Sequence, residues 1–241
     1  MLEPHAIGAS LIASFANAAF DATPFRHWLP RALLPAQVCR AIDALPVGAP
    51  EIADTRGKRE THDSSRTFFG ARARAVNPVC DALARALQSD AVVAELERLC
   101  GVGLRENHLR IEYCLDSDGF WLEPHTDIGV KRFTMLIYLS DDPGSEAWGT
   151  DILDAERRLV ATTPYRRNDG LIFIPAADTW HGFHKRPIRG VRRSLIVNYV
   201  SPAWRSRHEL AFPDRFAGAG ARRLGRIDSM DILWNIPCLS G

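Results

Sequence analysis

His125-Thr126-Asp127-Ile128-Gly129-Val130-Lys131-Arg132-Phe133-Thr134-Met135-Leu136-Ile137-Tyr138-Leu139 joins a short polar motif to an apolar run of strand length. Side chains alternate faces along an extended chain, so His125 and Asp127 project to the same side. A further histidine, His181, stands 54 residues beyond Asp127, with His184 three residues after it. Two imidazoles and one carboxylate can occupy one face of an octahedral ion and leave three positions open. Eleven residues after His181, Arg192-Arg193-Ser194 opens another apolar run. An arginine fork there suits a carboxylate, such as the far end of a small acid that chelates the ion.

Taken in order, these parts resemble the 2-oxoglutarate- and Fe(II)-dependent dioxygenases, in particular the prolyl-hydroxylase-like branch. The motifs that carry the resemblance are His125-x-Asp127, His181 and Arg192-x-Ser194. Gly149-Thr150-Asp151-Ile152-Leu153 resembles a segment found between the two histidines, and Gly170-Leu171-Ile172-Phe173-Ile174-Pro175 the strand leading to the second. The resemblance spans about Leu109 to Val200, roughly two fifths of the chain.

It implies an α+β fold, a double-stranded β-helix (jelly roll) buttressed by N-terminal helices. It also implies Fe(II) on His125, Asp127 and His181, with 2-oxoglutarate as co-substrate. The C5 carboxylate would sit on Arg192 with Ser194 beside it, and Tyr113 would bond the same co-substrate. His181 is preferred to His184 by its distance from Gly170–Pro175 and from Arg192. In an extended run Arg192, Ser194, Ile196 and Asn198 share one face, and Arg193, Leu195, Val197 and Tyr199 the other. The family's R-x-S pattern selects Arg192. Halogenating members have a small residue where this chain has Asp127, so the resemblance implies hydroxylation or a related oxidation, with release of succinate and CO2.

At 241 residues and 46% hydrophobic composition, the chain fits one oxygenase domain with a substantial core. Within it, 1–107 reads as helical support and loop, 108–200 as the jelly-roll core, and 201–241 as a C-terminal segment. A net charge of +1 gives no general attraction for nucleic acid or a membrane surface. The arginines do cluster, at Arg189, Arg192 and Arg193 and again at Arg205, Arg207, Arg215, Arg222, Arg223 and Arg226. These read either as a solvated surface or as attraction for an anionic small-molecule or peptide substrate. Cys39, Cys80, Cys100, Cys114 and Cys238 show no CxxC spacing and read as free thiols of a reducing compartment. The apolar stretch Ile7 to Phe20 is too short to span a bilayer, so the cytoplasm is the default location.

Helical spacing predicts helices over 35–45 and 78–99, the latter split near Ser89-Asp90. Strand-like runs follow at 109–114, 133–139, 158–163, 171–174 and 194–200. The charged stretch 51–66 reads as a mobile polar loop at the pocket mouth, with Arg56, Lys58, Arg59 or Arg66 available to an anion. Trp148 and Trp180 are either pocket walls or packing residues, Lys131 and Arg132 either a solvated loop or contacts for an anionic substrate, and Gly149 and Thr150 structural. Two other readings stand beside the oxygenase: a cupin-type metal enzyme that does not use 2-oxoglutarate, and a non-catalytic jelly-roll binding module.

Overall fold

The computed structural model describes residues 2–59, 63–127 and 129–216. Arg222, Arg223, Arg226 and Cys238 lie outside the described residues, as does most of the predicted C-terminal segment.

Five helices support the structure: α1 (Pro4–Ala16), α2 (Ala36–Asp43), α3 (Ala71–Val76), α4 (Pro78–Leu87) and α5 (Asp90–Cys100). Pro78 opens α4, where the missing N–H removes no helical hydrogen bond. Ser89 caps α5 by accepting from the Val92 N–H, and Gly101 ends it at φ 72°, a left-handed conformation that glycine adopts without strain. The apolar spacing buries Leu83 and Leu87 of α4 and Val92, Val93 and Leu96 of α5. No helix among the described residues is long and apolar enough to cross a membrane.

The strands are β1 (Ala19–Asp21), β2 (His27–Leu29), β3 (Arg66–Phe68), β4 (His108–Asp116), β5 (Leu122–His125), β6 (Lys131–Tyr138), β7 (Asp151–Leu153), β8 (Leu159–Thr162), β9 (Gly170–Phe173), β10 (His181–Phe183) and β11 (Arg192–Val200). They form a seven-stranded sheet in the order β1-β2-β9-β6-β11-β4-β3 and a four-stranded sheet in the order β5-β10-β7-β8. All pairings are antiparallel. Among the described residues the two sheets do not join into one closed ladder.

Register divides the large sheet into two faces. β11 lies against β4 with Arg192 opposite Asp116, Ser194 opposite Cys114 and Leu195 opposite Tyr113. One parity (Leu109, Ile111, Tyr113, Leu115, Leu195, Val197 and Tyr199) joins the helices in the main apolar core. The other parity carries Arg110, Glu112, Asp116, Arg192, Ser194 and Asn198, all buried although polar or charged. A second core lies between the sheets, built from Leu136, Tyr138, Leu171 and Phe173 of the large sheet with Ile152 and Phe183 of the small one. Buried charges cluster beside this inter-sheet core, where they pair with one another.

The stretch 51–66 differs from the loop that its composition predicts. Ile52 and Thr55 are buried, the Thr55 hydroxyl donates to the Trp121 carbonyl, and the Trp121 indole donates to Asp54 at 2.6 Å. The Gly57 carbonyl accepts from Glu123 N–H at 3.0 Å. Few of these anchors are apolar, so hydrophobic periodicity carries no trace of them.

Candidate active site

His125 ends β5 and His181 begins β10, and the two are directly opposite in the antiparallel register. Their ring centroids are 4.3 Å apart. Asp127 follows His125 by the two residues that return its side chain to the same side. Ligand-capable atoms of His125, Asp127 and His181 all lie within 4.8 Å of one another.

Each of the three side chains is held in place by hydrogen bonds. His125 Nδ1 donates to the Glu123 carbonyl at 2.8 Å and His181 Nδ1 to the Thr179 carbonyl at 3.0 Å. Those bonds place the proton on Nδ1 and leave Nε2 as the lone-pair nitrogen of each ring. Burial, with repulsion from His125, pushes His181 down to about 4 against the pull of Asp127, so its imidazole is neutral at neutral pH. Asp127 accepts from Lys131 Nζ and from Thr134 Oγ1, each at 2.6 Å. Burial alone would raise its pKa, but Lys131, His181 and these bonds overcome it and hold the carboxyl at about 2. Two imidazole nitrogens and one carboxylate on one side, with a cavity on the other, form a donor set that fits Fe(II).

The cavity has a volume of about 450 Å³, and His125, Asp127, His181 and Arg192 all line it. Arg192, 3% exposed, donates from Nε to the Trp148 carbonyl at 2.8 Å and from Nη1 to Asp116 Oδ2 at 2.7 Å. Its guanidinium lies 4.6 Å from the Phe183 ring centroid. Two residues on, the fully buried Ser194 Oγ has no hydrogen-bond partner among the described residues. A buried hydroxyl without a partner costs about 1–3 kcal/mol. Arg192 presents a guanidinium at the cavity, a group that suits a carboxylate, so the residues present fit an acid co-substrate.

The expected residues fall into three groups. His125, Asp127, His181 and Arg192 line one cavity, while Ser194, two residues from Arg192 on the same parity, is fully buried and does not line it. His184 turns away, its Nδ1 2.7 Å from Asp151 Oδ2, and Arg193 lies on the opposite parity beside Asp142. Tyr113 requires a correction. It faces the helices in the main core, opposite Leu195, and burial pushes its hydroxyl up to about 12. Strand parity is the reason: Tyr113 is an odd step from Glu112 and Cys114, and the cavity face of β4 carries the even-numbered residues. Trp148 is packed, with its indole donating to the Pro187 carbonyl at 3.2 Å, and Trp180 stacks with Arg157. Lys131, expected on a solvated loop, lines the cavity.

Sequence reasoning missed the charged wall. Arg59 and Arg192 share Asp116, while Arg66 and Arg110 share Glu112, and Glu209 also pairs with Arg110. The signal was available in β4, where Arg110, Glu112 and Asp116 recur at period two in a strand whose other parity is apolar.

No protein-family model and no curated relative matches the sequence. Solved structures do match. A prolyl-4-hydroxylase from Pseudomonas putida shares 14% identity, with 82% of this chain and 95% of that one covered at a TM-score of 0.51. A prolyl 4-hydroxylase from Phytophthora capsici shares 10%, covering 84% and 66% at 0.53. A prolyl hydroxylase from Trichoplax adhaerens, solved with a hypoxia inducible factor peptide, shares 13%, covering 82% and 90% at 0.50. The likeness establishes a shared fold.

Proposed function

We propose that this chain is an Fe(II)- and 2-oxoglutarate-dependent oxygenase that hydroxylates a polar small molecule or peptide, releasing succinate and CO2. The observation that carries the reading is one cavity lined both by the His125–Asp127–His181 cluster and by the buried Arg192 guanidinium. The fold shared with prolyl hydroxylases supports it, and on this reading the two sheets are the halves of a double-stranded β-helix in a single oxygenase domain.

His125, Asp127 and His181 would hold Fe(II), and Arg192 with Ser194 would hold the C5 carboxylate of 2-oxoglutarate. Iron and co-substrate would together supply the oxidising chemistry with O2 as oxidant, one oxygen atom of O2 going to succinate as the 2-oxo acid loses CO2 and the other into a substrate C–H bond. The chain's own residues orient and shield. Thr134 and Lys131 fix the carboxylate ligand, the Glu123 and Thr179 carbonyls fix the rings, and Phe173, 4.7 Å from the His181 ring, keeps the cluster dry on one side. On the substrate side Arg66 and Arg110 balance Glu112 and Glu209, a wall that favours a polar guest over an apolar one.

One observation favours a metal enzyme without 2-oxoglutarate: Arg192 already pairs with Asp116. Titration separates the two readings. Protein loaded with Mn(II) in place of iron should bind 2-oxoglutarate, and Arg192→Gln should weaken that binding while keeping the metal. His181→Ala should lose the metal and His184→Ala should retain it. A wild-type protein that binds metal but no 2-oxoglutarate would sink the oxygenase reading.

A further inference from the structure

Arg59 is the group this reading does not use. It reaches the cavity from the segment that also presents Gly57 and Lys58, and its side chain is only 10% exposed. It donates to both oxygens of Asp116, at 2.6 and 3.3 Å. Asp116 is fully buried and accepts from Arg192 on the second of those oxygens at 2.7 Å. The two guanidiniums lie against two aromatic rings that touch each other. Arg59 is 4.5 Å from the Phe120 centroid, Arg192 is 4.6 Å from that of Phe183, and the two rings are 5.7 Å apart.

Two cations therefore share one carboxylate behind a screen that excludes water, leaving the trio with one net positive charge. Arg192 and Asp116 alone would form a closed neutral pair. An incoming carboxylate would gain from Arg192 and lose almost as much to Asp116 at short range, since both act in the same low dielectric. With Arg59 holding Asp116 from the other side, the aspartate's charge is already answered and the pull of Arg192 is left over for an anion.

We propose that Arg59 is a positioning residue for the acid co-substrate: by neutralising Asp116 it supplies the uncompensated charge with which Arg192 holds the far carboxylate. The proposal rests on the reading above that Arg192 is the carboxylate's partner. It also gives the 51–59 segment a task, since the segment's fixed contacts with Trp121 and Glu123 hold Arg59 in place.

The test is calorimetric titration of 2-oxoglutarate into Mn(II)-loaded protein, with a thermal melt of every variant. Arg59→Gln takes the trio from one net positive charge to none and should weaken binding about tenfold or more, a loss on the scale of site-to-site couplings. Arg59→Gln combined with Asp116→Asn restores one net positive charge, and binding should return to within about threefold of wild type. Arg59→Lys keeps the charge without the fork, so it should retain binding even where its melt is lower, and it carries the test if Arg59→Gln fails to fold. Unchanged affinity in Arg59→Gln would overturn the proposal. So would a double variant weaker than the single one, or Arg59→Lys losing binding as fully as Arg192→Gln. A wild-type protein that takes Mn(II) but not 2-oxoglutarate would instead retire the oxygenase reading.

Discussion

Thr134 shows how a single hydroxyl can serve a candidate metal ligand it does not replace. Its Oγ1 donates to Asp127 Oδ2 at 2.6 Å and accepts from Asn198 Nδ2 at 2.9 Å, and Asn198 Oδ1 in turn accepts from Arg110 at 3.0 Å. The chain of bonds runs from the proposed metal centre to the charged wall. Thr134→Val keeps the shape and deletes the hydroxyl, so an Asp127 oxygen and the Asn198 amide both lose a partner. The expected cost is about 1–3 kcal/mol of stability. Metal affinity should also fall by about 10–100-fold, the usual effect of removing a group that orients a ligand. Urea denaturation and a metal titration read the two losses separately. Full metal affinity in the variant would show that Thr134 does not hold the carboxylate in place.

At the scale of elements, the two strands that carry the candidate histidines are short. β5 is Leu122-Glu-Pro-His125 and β10 is His181-Gly-Phe183, too brief to show a period, so register against neighbours fixes them. Close approach of backbones holds the small sheet together. A Cβ added at Gly149 would meet the Thr163 carbonyl oxygen at 1.8 Å, far inside contact, and Thr150 and Thr163 bond the buried Tyr138 hydroxyl from either side. Gly149→Ala must push these backbones apart and should destabilise by about 1–3 kcal/mol or more. Equilibrium denaturation checks it, and a neutral result would mean that this turn has slack. The long elements were legible for the opposite reason. α4, α5, β4, β6, β9 and β11 appear where the apolar spacing places them, because each buries a full face.

For the whole molecule, burying charge between two sheets sets the response to acid. Burial would raise the Glu112 carboxyl, but Arg110 and Arg66 outweigh it and hold the group well below its unfolded value of 4.5. Asp127 is held at about 2 against 3.8, and His181 at about 4 against 6.5. All three bind a proton more readily unfolded than folded, so their effects share one sign: stability rises with pH. Metal-free protein should therefore keep its full stability above about pH 6.5 and lose it progressively on acidification, first through His181, then through Glu112 and Asp127. The denaturation midpoint measured from pH 7 to pH 3 checks this. Glu112→Gln should start lower and flatten the acid part of the curve, and an unchanged slope would remove Glu112 from the account.

The sequence by itself marked the candidate triad and the arginine, because HxD spacing, a histidine after a strand and R-x-S opening another strand are local statements. It also determined α2, α4, α5 and the long strands, whose apolar periods record which face is buried. Tertiary structure alone decided the rest. Tyr113 stands at the end of a strand pattern in either reading, and only the pairing of Leu195 with it shows that it faces the helices. Arg59 and Asp116 are 57 residues apart and Arg192 and Asp116 are 76 apart. No period links such positions. A buried charge is stable only where the fold brings its counter-charge within a few ångströms, and that meeting is a property of the folded sheets.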